Sequence, residues 1–500
     1  MAVETIRLAR RAPASVLHPM DGFGAQFNTN LFTSAGRDQH VGPHQLQQLR
    51  STITKLKPGH SRVFIRRGMR ADTTRGQSAP EFLALMDTIE LAQRAGANVN
   101  LTWWGQGPYA DEGKLRTLVW PNRTHHDWPN PNLQKWPKAL TDPDGLKAPK
   151  VMMERFAGIL EEARSRGFDC VRYATIQNEV NGSGTDIAKH KDPFLSMRFY
   201  ELLYRHLDTA LKAAPDPKNP SRTLRSAIRL VAGDLVEKGN SRQDLWLKYM
   251  HANMDLPRPG FPSVVDAYSI HVYWEPGPGP QGFPRKLEAR LTNLERTVRS
   301  LGIKKPIYVT EYGVRLLRAK PRPGKLGGQR LEQTAQAALQ HAWFNALAPQ
   351  FGCVGLAKWV LYRTDKTAGF GHWGMVDAPA AEFKRTPTYR ITRLFNHLIG
   401  PGWKAAGLGR GAGGTLLASR FAGPNQQESV VVLNRGVRAQ QVRVEGLKSQ
   451  TTYVAVVWNQ NGDPTLQPLP KVVADARGAA TITVPQHGLV ALSTRRHLKL

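Results

Sequence analysis

Eight short runs rich in Val, Ile, Tyr and Phe recur along the chain, and segments of helical period lie between them. The runs cover 22–28, 62–67, 98–104, 171–179, 230–235, 265–273, 306–313 and 354–361. Helical spacing is clearest over 79–95 and 329–348, within 286–301, and within 185–213, where Phe199, Leu202, Leu203 and Leu207 share a face. Such alternation marks repeated βα units. Eight parallel strands close most simply as a (β/α)₈ TIM barrel, although an open doubly wound sheet has the same local pattern. Past about Pro401 the helical period stops. Short β-runs at 416–421, 429–433, 441–444, 452–458, 480–484 and 489–494, punctuated by Gly, Asn and Pro, predict a small C-terminal β-sandwich. The expected division is a barrel over 19–400 and a sandwich over 401–500. A strand-like segment within 1–18 is expected to join the sandwich or cover the barrel floor.

With 41% hydrophobic and 22% charged residues over 500 positions, the chain can bury a large core and does not have the composition of a disordered one. No apolar run nears the ~18 to 20 residues that span a bilayer, so membrane insertion is not expected. The first residues carry Arg7, Arg10 and Arg11 without a following apolar stretch, unlike a secretory leader. Location therefore stays open between the cytoplasm and secretion with the leader removed. Cys170 and Cys353 open the fourth and eighth runs, on opposite sides of a barrel, and are expected as separate buried thiols. Two cysteines without a Cys-x-x-Cys pair suggest no metal site, and no motif calls for a cofactor. The net charge of +30 invites a polyanion. Lys and Arg are spread along the whole chain, so nucleic acid is not expected as partner, and an acidic glycan or acidic cell surface is the better use of that charge. Oligomeric state is left open.

Barrel chemistry sits where strands end at the C-terminal face. Two carboxylates meet that condition: Glu179 closes the fourth run and Glu311 lies near the end of the seventh. A charge at the end of an apolar strand is costly unless paired or used. Paired carboxyls across a glycosidic bond, ~5 to 5.5 Å apart, cleave it with retention, one as acid/base and one as nucleophile. The segment 105–150 between the third run and its helix is unusually long, holds Trp120, Trp128 and Trp136, and is expected on the same face.

The motifs TIQNEVN (175–181) and YVTEYG (308–313) resemble the clan A glycoside hydrolases, which carry Asn-Glu at the end of strand four and Glu at the end of strand seven. The likeness in strand spacing extends from Met20 to about Gly400. GFGAQFNTN (22–30) and the appended β-domain look most like families 39 and 30, while the motifs around Glu179 and His271 also suit family 5. The resemblance implies a retaining glycosidase with Glu179 as acid/base and Glu311 as nucleophile. It further implies Asn178 on a sugar hydroxyl, and His271 and Tyr273 of SIHVYW as the clan's His-x-Tyr, with Tyr273 orienting Glu311. Arg66 or Arg67, with Arg66 preferred, would keep the nucleophile ionised, since a nearby cation favours a carboxylate. Trp359 of LAKWVLY would be the platform under the sugar. Trp103, Trp104 and Trp274 also sit at strand ends, where packing is the first expectation for any one of them and lining the cleft the second, with Trp104 taken as the sugar contact; Asp234 is a weaker polar candidate. A transglycosylase on the same site, or a catalytically silent glycan- or polyanion-binding protein, would share these residues.

Overall fold

A computed structural model describes residues 3–9, 18–32, 41–65, 80–103, 143–181, 195–237, 243–274, 283–314, 334–362, 374–376, 383–459 and 466–495. Eight parallel strands close into a barrel: Gly22–Phe27, His60–Ile65, Asn98–Trp103, Val171–Ile176, Arg229–Val236, Ala267–Trp274, Ile307–Val314 and Cys353–Lys358. Helices Pro43–Leu56, Pro80–Arg94, Pro143–Ser165, Leu195–Ala213, Gln243–Met250, Phe283–Leu301, Ala335–Leu347 and Pro387–Leu398 follow the strands in turn. Every residue of Gly22–Phe27 and of Ile307–Val314 is buried. A strand facing the barrel interior on one side and the helix layer on the other has no solvent face, hence a continuous apolar run rather than an alternating one. The last helix is set by its ends: the Thr386 side chain caps the Tyr389 amide, and Pro387 sits at the first helical position.

The C-terminal part is a sandwich. Its larger sheet orders antiparallel strands Lys404–Arg410, Leu416–Ala422, Glu428–Asn434, Gly488–Ser493, Thr452–Asn459 and Gln467–Val473. Its smaller sheet holds Gln440–Glu445 and Ala479–Val484, with the N-terminal strand Glu4–Arg7 added parallel to Gln440–Glu445. Strand alternation gives the larger sheet two buried faces. Leu416, Val430, Val432 and Val490 pack toward the small sheet with Ile6 and Val442. Leu417, Val431, Leu433 and Leu489 join the core of the barrel. The joint is also hydrogen-bonded: Ser419 donates to Ala346 O at 2.8 Å and Ser429 to Leu398 O at 3.0 Å, tying the sheet to the last two barrel helices. Cys170 and Cys353 are both free and buried.

The strands depart from the expected runs by up to three residues at an end, the eighth stopping at Lys358 rather than 361. The second begins at His60, two residues before the run read from sequence, because its opening residues His60 and Ser61 are polar yet fully buried inside the barrel. The fourth ends at Ile176. Gln177 (φ 66°) and Glu179 (φ 51°) then turn the backbone out of the strand at the barrel mouth. On the fifth strand, pairing with the sixth slips between Ala232 and Leu235, across Gly233 (φ 133°) and Asp234 (φ 51°). This irregularity aims the Asp234 side chain into the barrel.

A methyl group at Gly233 would lie 2.2 Å from the Ser269 carbonyl oxygen, at a backbone angle that side chains rarely adopt. Gly233→Ala is expected to lower unfolding free energy by about 2 to 4 kcal/mol. Urea titration followed by tryptophan fluorescence checks this; a midpoint equal to wild type would contradict it.

Candidate active site

The mouth of the barrel is organised around one arginine. The Arg62 side chain is 0% exposed, as is that of Asp234, which it meets in a close ion pair. Its Nη1 donates to Glu311 Oε1 at 2.5 Å, its Nη2 to Asn178 Oδ1 at 2.5 Å, and its Nε to Thr102 Oγ1 at 3.0 Å. Strands two, three, five and seven and the turn after strand four thus converge on one guanidinium. A planar fork of donors matched to separate acceptors is what makes a buried arginine tolerable.

Asp234 is saturated from the other side. Its Oδ1 accepts from Ser269 Oγ at 2.7 Å and from Thr310 Oγ1 at 2.5 Å. Burial alone would raise its pKa, but Arg62, His271 and these hydroxyls outweigh it and hold the carboxyl below its ordinary value. Glu311 is nearly buried, and its second oxygen accepts from Tyr273 OH at 2.7 Å. Burial, reinforced by Glu311, pushes the Tyr273 phenol well up, so it stays a donor. With donors on both oxygens, Glu311 is held as an acceptor.

Glu179 differs. Its side chain is 36% exposed, and its Oε1 lies 3.1 Å from His271 Nδ1. His271 is buried, which opposes the imidazolium, yet Glu311, Glu179 and Asp234 outweigh burial and the Arg62 charge and raise its pKa above the ordinary value. The Nδ1 atom also lies 3.5 Å from Glu311 Oε2, so the histidine bridges the two glutamates. One ligand atom from each of Glu179, His271 and Glu311 falls within 4.8 Å of the others, a spacing that a cation can bridge. The positive charge that faces Glu311 here is the Arg62 guanidinium.

Of the residues read from sequence, the fold gathers Asn178, Glu179, His271, Tyr273 and Glu311 at one place. Trp359 stands beside them, in a cluster with Phe64 and Val360 against which Tyr273 packs. Arg66, Arg67 and Trp104 lie outside the described residues, as does 104–142 of the long segment after strand three. Of the strand-end tryptophans, Trp103 and Trp274 are packing, the first expectation for each. Trp103 packs against Phe156, and Trp274 stacks on Tyr312 and donates to Gln340 at 3.0 Å. Both are buried packing in the helix layer, because the alternation of strands three and six turns them outward from the barrel. Arg62 was missed, and Asp234 was ranked too low. The legible signal was a cation and an acid each set inside an apolar strand, which must meet to be buried.

No family model matches the sequence, and no curated protein is similar to it. Solved structures match in fold over nearly the whole chain. The catalytic domain of a family 30 xylanase C from Talaromyces cellulolyticus aligns at 11% identity and TM-score 0.63, covering 98% of this chain and 99% of that one. The protein SrfJ from Salmonella typhimurium aligns at 14% identity and TM-score 0.61, covering 99% and 93%. A family 51 arabinofuranosidase from Xanthomonas axonopodis pv. citri aligns at 13% identity and TM-score 0.54, covering 98% and 98%. At such identities the likeness is one of fold: a (β/α)₈ barrel carrying a C-terminal β-sandwich.

Asp234→Asn leaves Arg62 buried without its principal counter-charge and is expected to cost about 3 to 5 kcal/mol of stability by urea unfolding. A cost under ~1 kcal/mol would mean that Asp234 does not carry the network. The raised His271 pKa sets a pH dependence of opposite hand to that of Asp234. The His271 contribution is complete below its unfolded pKa of ~6.5 and is lost as pH rises through the higher folded value. The Asp234 contribution is present above ~3.9 and is lost as pH falls through the lower folded value. His271→Asn should therefore flatten the decline of stability on the alkaline side of ~6.5. Unfolding curves at stepped pH that keep the wild-type slope would contradict this.

Proposed function

We propose that this chain is a retaining glycoside hydrolase that cleaves O-glycosidic bonds of a poly- or oligosaccharide by double displacement. The observation that carries the reading is the approach of Glu179 and Glu311, one oxygen of each lying within 4.8 Å of the other. Retaining enzymes hold their carboxyls ~5 to 5.5 Å apart, whereas inverting ones leave ~6.5 to 9.5 Å for a water molecule. The fold shared with a xylanase and an arabinofuranosidase supports the same reading.

The two environments divide the labour. Glu311, its oxygens fixed by Arg62 and Tyr273, is the nucleophile that attacks the anomeric carbon and forms a glycosyl-enzyme. Glu179, more exposed and beside His271, protonates the departing oxygen and then takes the proton of the water that releases the sugar. Asn178 accepts from Arg62 through its oxygen, which turns its amide NH₂ toward a sugar hydroxyl near the reacting centre. Trp359, beside Tyr273, offers an aromatic face to the C–H face of the sugar. No step requires a cofactor.

Turnover of a panel of aryl β-glycosides and polysaccharides tests the assignment. Glu311→Ala is expected to lose at least about a thousandfold in rate. Glu179→Ala should lose on the order of 10² to 10⁴ and regain turnover with azide, giving a glycosyl azide of retained configuration. Full activity in Glu311→Ala, or an azide product of inverted configuration, would overturn the double-displacement reading.

A further inference from the structure

Strand four stops short of its neighbour. Its pairing with strand five ends at Ala174 and Leu230, while strand five runs on to Val236. Toward the barrel mouth, side chains take over from the backbone ladder. The buried Tyr204 hydroxyl, from helix Leu195–Ala213, accepts from Ile176 N at 3.0 Å and donates to Val231 O at 2.6 Å. The Tyr200 hydroxyl, one helical turn earlier, accepts from Gly233 N at 2.9 Å. Highest on the seam, the Asn181 carboxamide accepts from Val236 N and donates to Val236 O, both at 2.8 Å. A buried main-chain amide or carbonyl left unmet is costly, so a seam that has lost its ladder needs such substitutes.

Asn181 closes the turn that carries Asn178 and Glu179. The first residue of that turn is tied to strand three, Gln177 N donating to Trp103 O at 2.8 Å, and its last to strand five, through Asn181. Between these anchors Gln177 and Glu179 hold positive φ, a backbone state that side chains keep only where the surroundings impose it. The level of the anchor on strand five also bears on Glu179, because Val236 is the residue paired with His271 on strand six. Asn181 thus stands two residues from Glu179 along the chain and one strand from His271 across the sheet. At 1% exposure it acts through the turn and not on a ligand.

We infer that Asn181 is a positioning residue for the acid/base: its carboxamide stands where strand-four backbone would pair with Val236, fixes the turn at the level of His271, and so sets Glu179 against the imidazole. The catalytic consequence rests on the glycosidase reading; the hold on the Glu179–His271 contact does not.

Phenyl and 2,4-dinitrophenyl β-glycosides of the sugar that wild type cleaves test the catalytic consequence. Phenolate needs a proton as it departs, whereas 2,4-dinitrophenolate leaves without one, so kcat/KM on the pair isolates the acid. Asn181→Ala is expected to lose about tenfold or more on the phenyl glycoside and less than about threefold on the dinitrophenyl one. Ser419→Ala, which weakens the joint to the sandwich, should keep the wild-type ratio of the two rates. Equal loss on both glycosides in Asn181→Ala, or full rate on the phenyl one, would overturn the catalytic role. Asn181→Asp, which fills the same space and keeps an acceptor for Val236 N but no donor for Val236 O, carries the same test if the alanine variant does not fold. The Glu179–His271 contact is read without substrate. Burial lowers the His271 pKa, and Glu311 and then the bond to Glu179 raise it, so loosening that bond should lower it. The His271 signal in the NMR spectrum of the full chain with isotope-labelled histidines, identified by its loss in His271→Asn, should therefore titrate at lower pH in Asn181→Ala than in wild type. An unchanged titration would overturn the positioning whatever the turnover. A lowered titration with no glycoside cleaved by wild type would leave the positioning standing and overturn the glycosidase reading alone.

Discussion

The architecture of the barrel mouth depends on keeping one guanidinium dry. Arg62 has no solvent exposure, and an arginine in that position is tolerated only if its donors are met by acceptors of fixed geometry. The acceptors come from far apart in sequence: Thr102, Asn178, Asp234 and Glu311. Satisfying Arg62 therefore requires strands two, three, five and seven to hold their places around the barrel. Closing the barrel is what brings these acceptors to Arg62.

The same network separates the two glutamates chemically. Glu311 is clamped between Arg62 and Tyr273 and lies inside, while Glu179 sits on a turn of positive φ at the rim with His271 beside it. His271 is buried among three carboxylates, and their combined field outweighs its loss of hydration. Its Nδ1 lies 3.1 Å from Glu179 Oε1 and 3.5 Å from Glu311 Oε2, so the imidazole stands between the two carboxyl groups where they approach each other. Beneath this, the sandwich braces the scaffold. Its larger sheet buries both faces, one on the last two barrel helices and one on the small sheet that includes the N-terminal strand.

Much of this was legible before the fold was known. The eight apolar runs and the change of pattern past Pro401 carry the architecture, because a strand buried on both faces must be apolar throughout and a helix must show its own period. Glu179 and Glu311 were legible because a carboxylate at the end of an apolar strand stands out, and Asn178, His271 and Tyr273 through the resemblance of their motifs to the clan A glycoside hydrolases. Arg62 was not. It lies in the middle of its strand, where a charge reads as an interruption, and the start of that strand was hidden by His60 and Ser61, polar residues buried inside the barrel. Trp103 and Trp274 show why a strand-end aromatic is read first as packing: alternation turns both side chains into the helix layer.

The sequence by itself determined what is local and periodic: the eight barrel strands with helical stretches between them, the switch to a β-domain in which six of the eight strands after Pro401 were legible, and which polar side chains arrive at strand ends. Only the tertiary structure decided who meets whom. That Arg62 pairs with Asp234 across 172 positions, and that it grips Glu311 across 249, follows from barrel closure, which brings distant strand ends to one axis. Strand spacing carries no information about registers between strands, and a shift of a residue or two changes which side chain faces inward. The physical reason for the division is range: periodicity is set by neighbours along the chain, whereas charge pairing is set by neighbours in space.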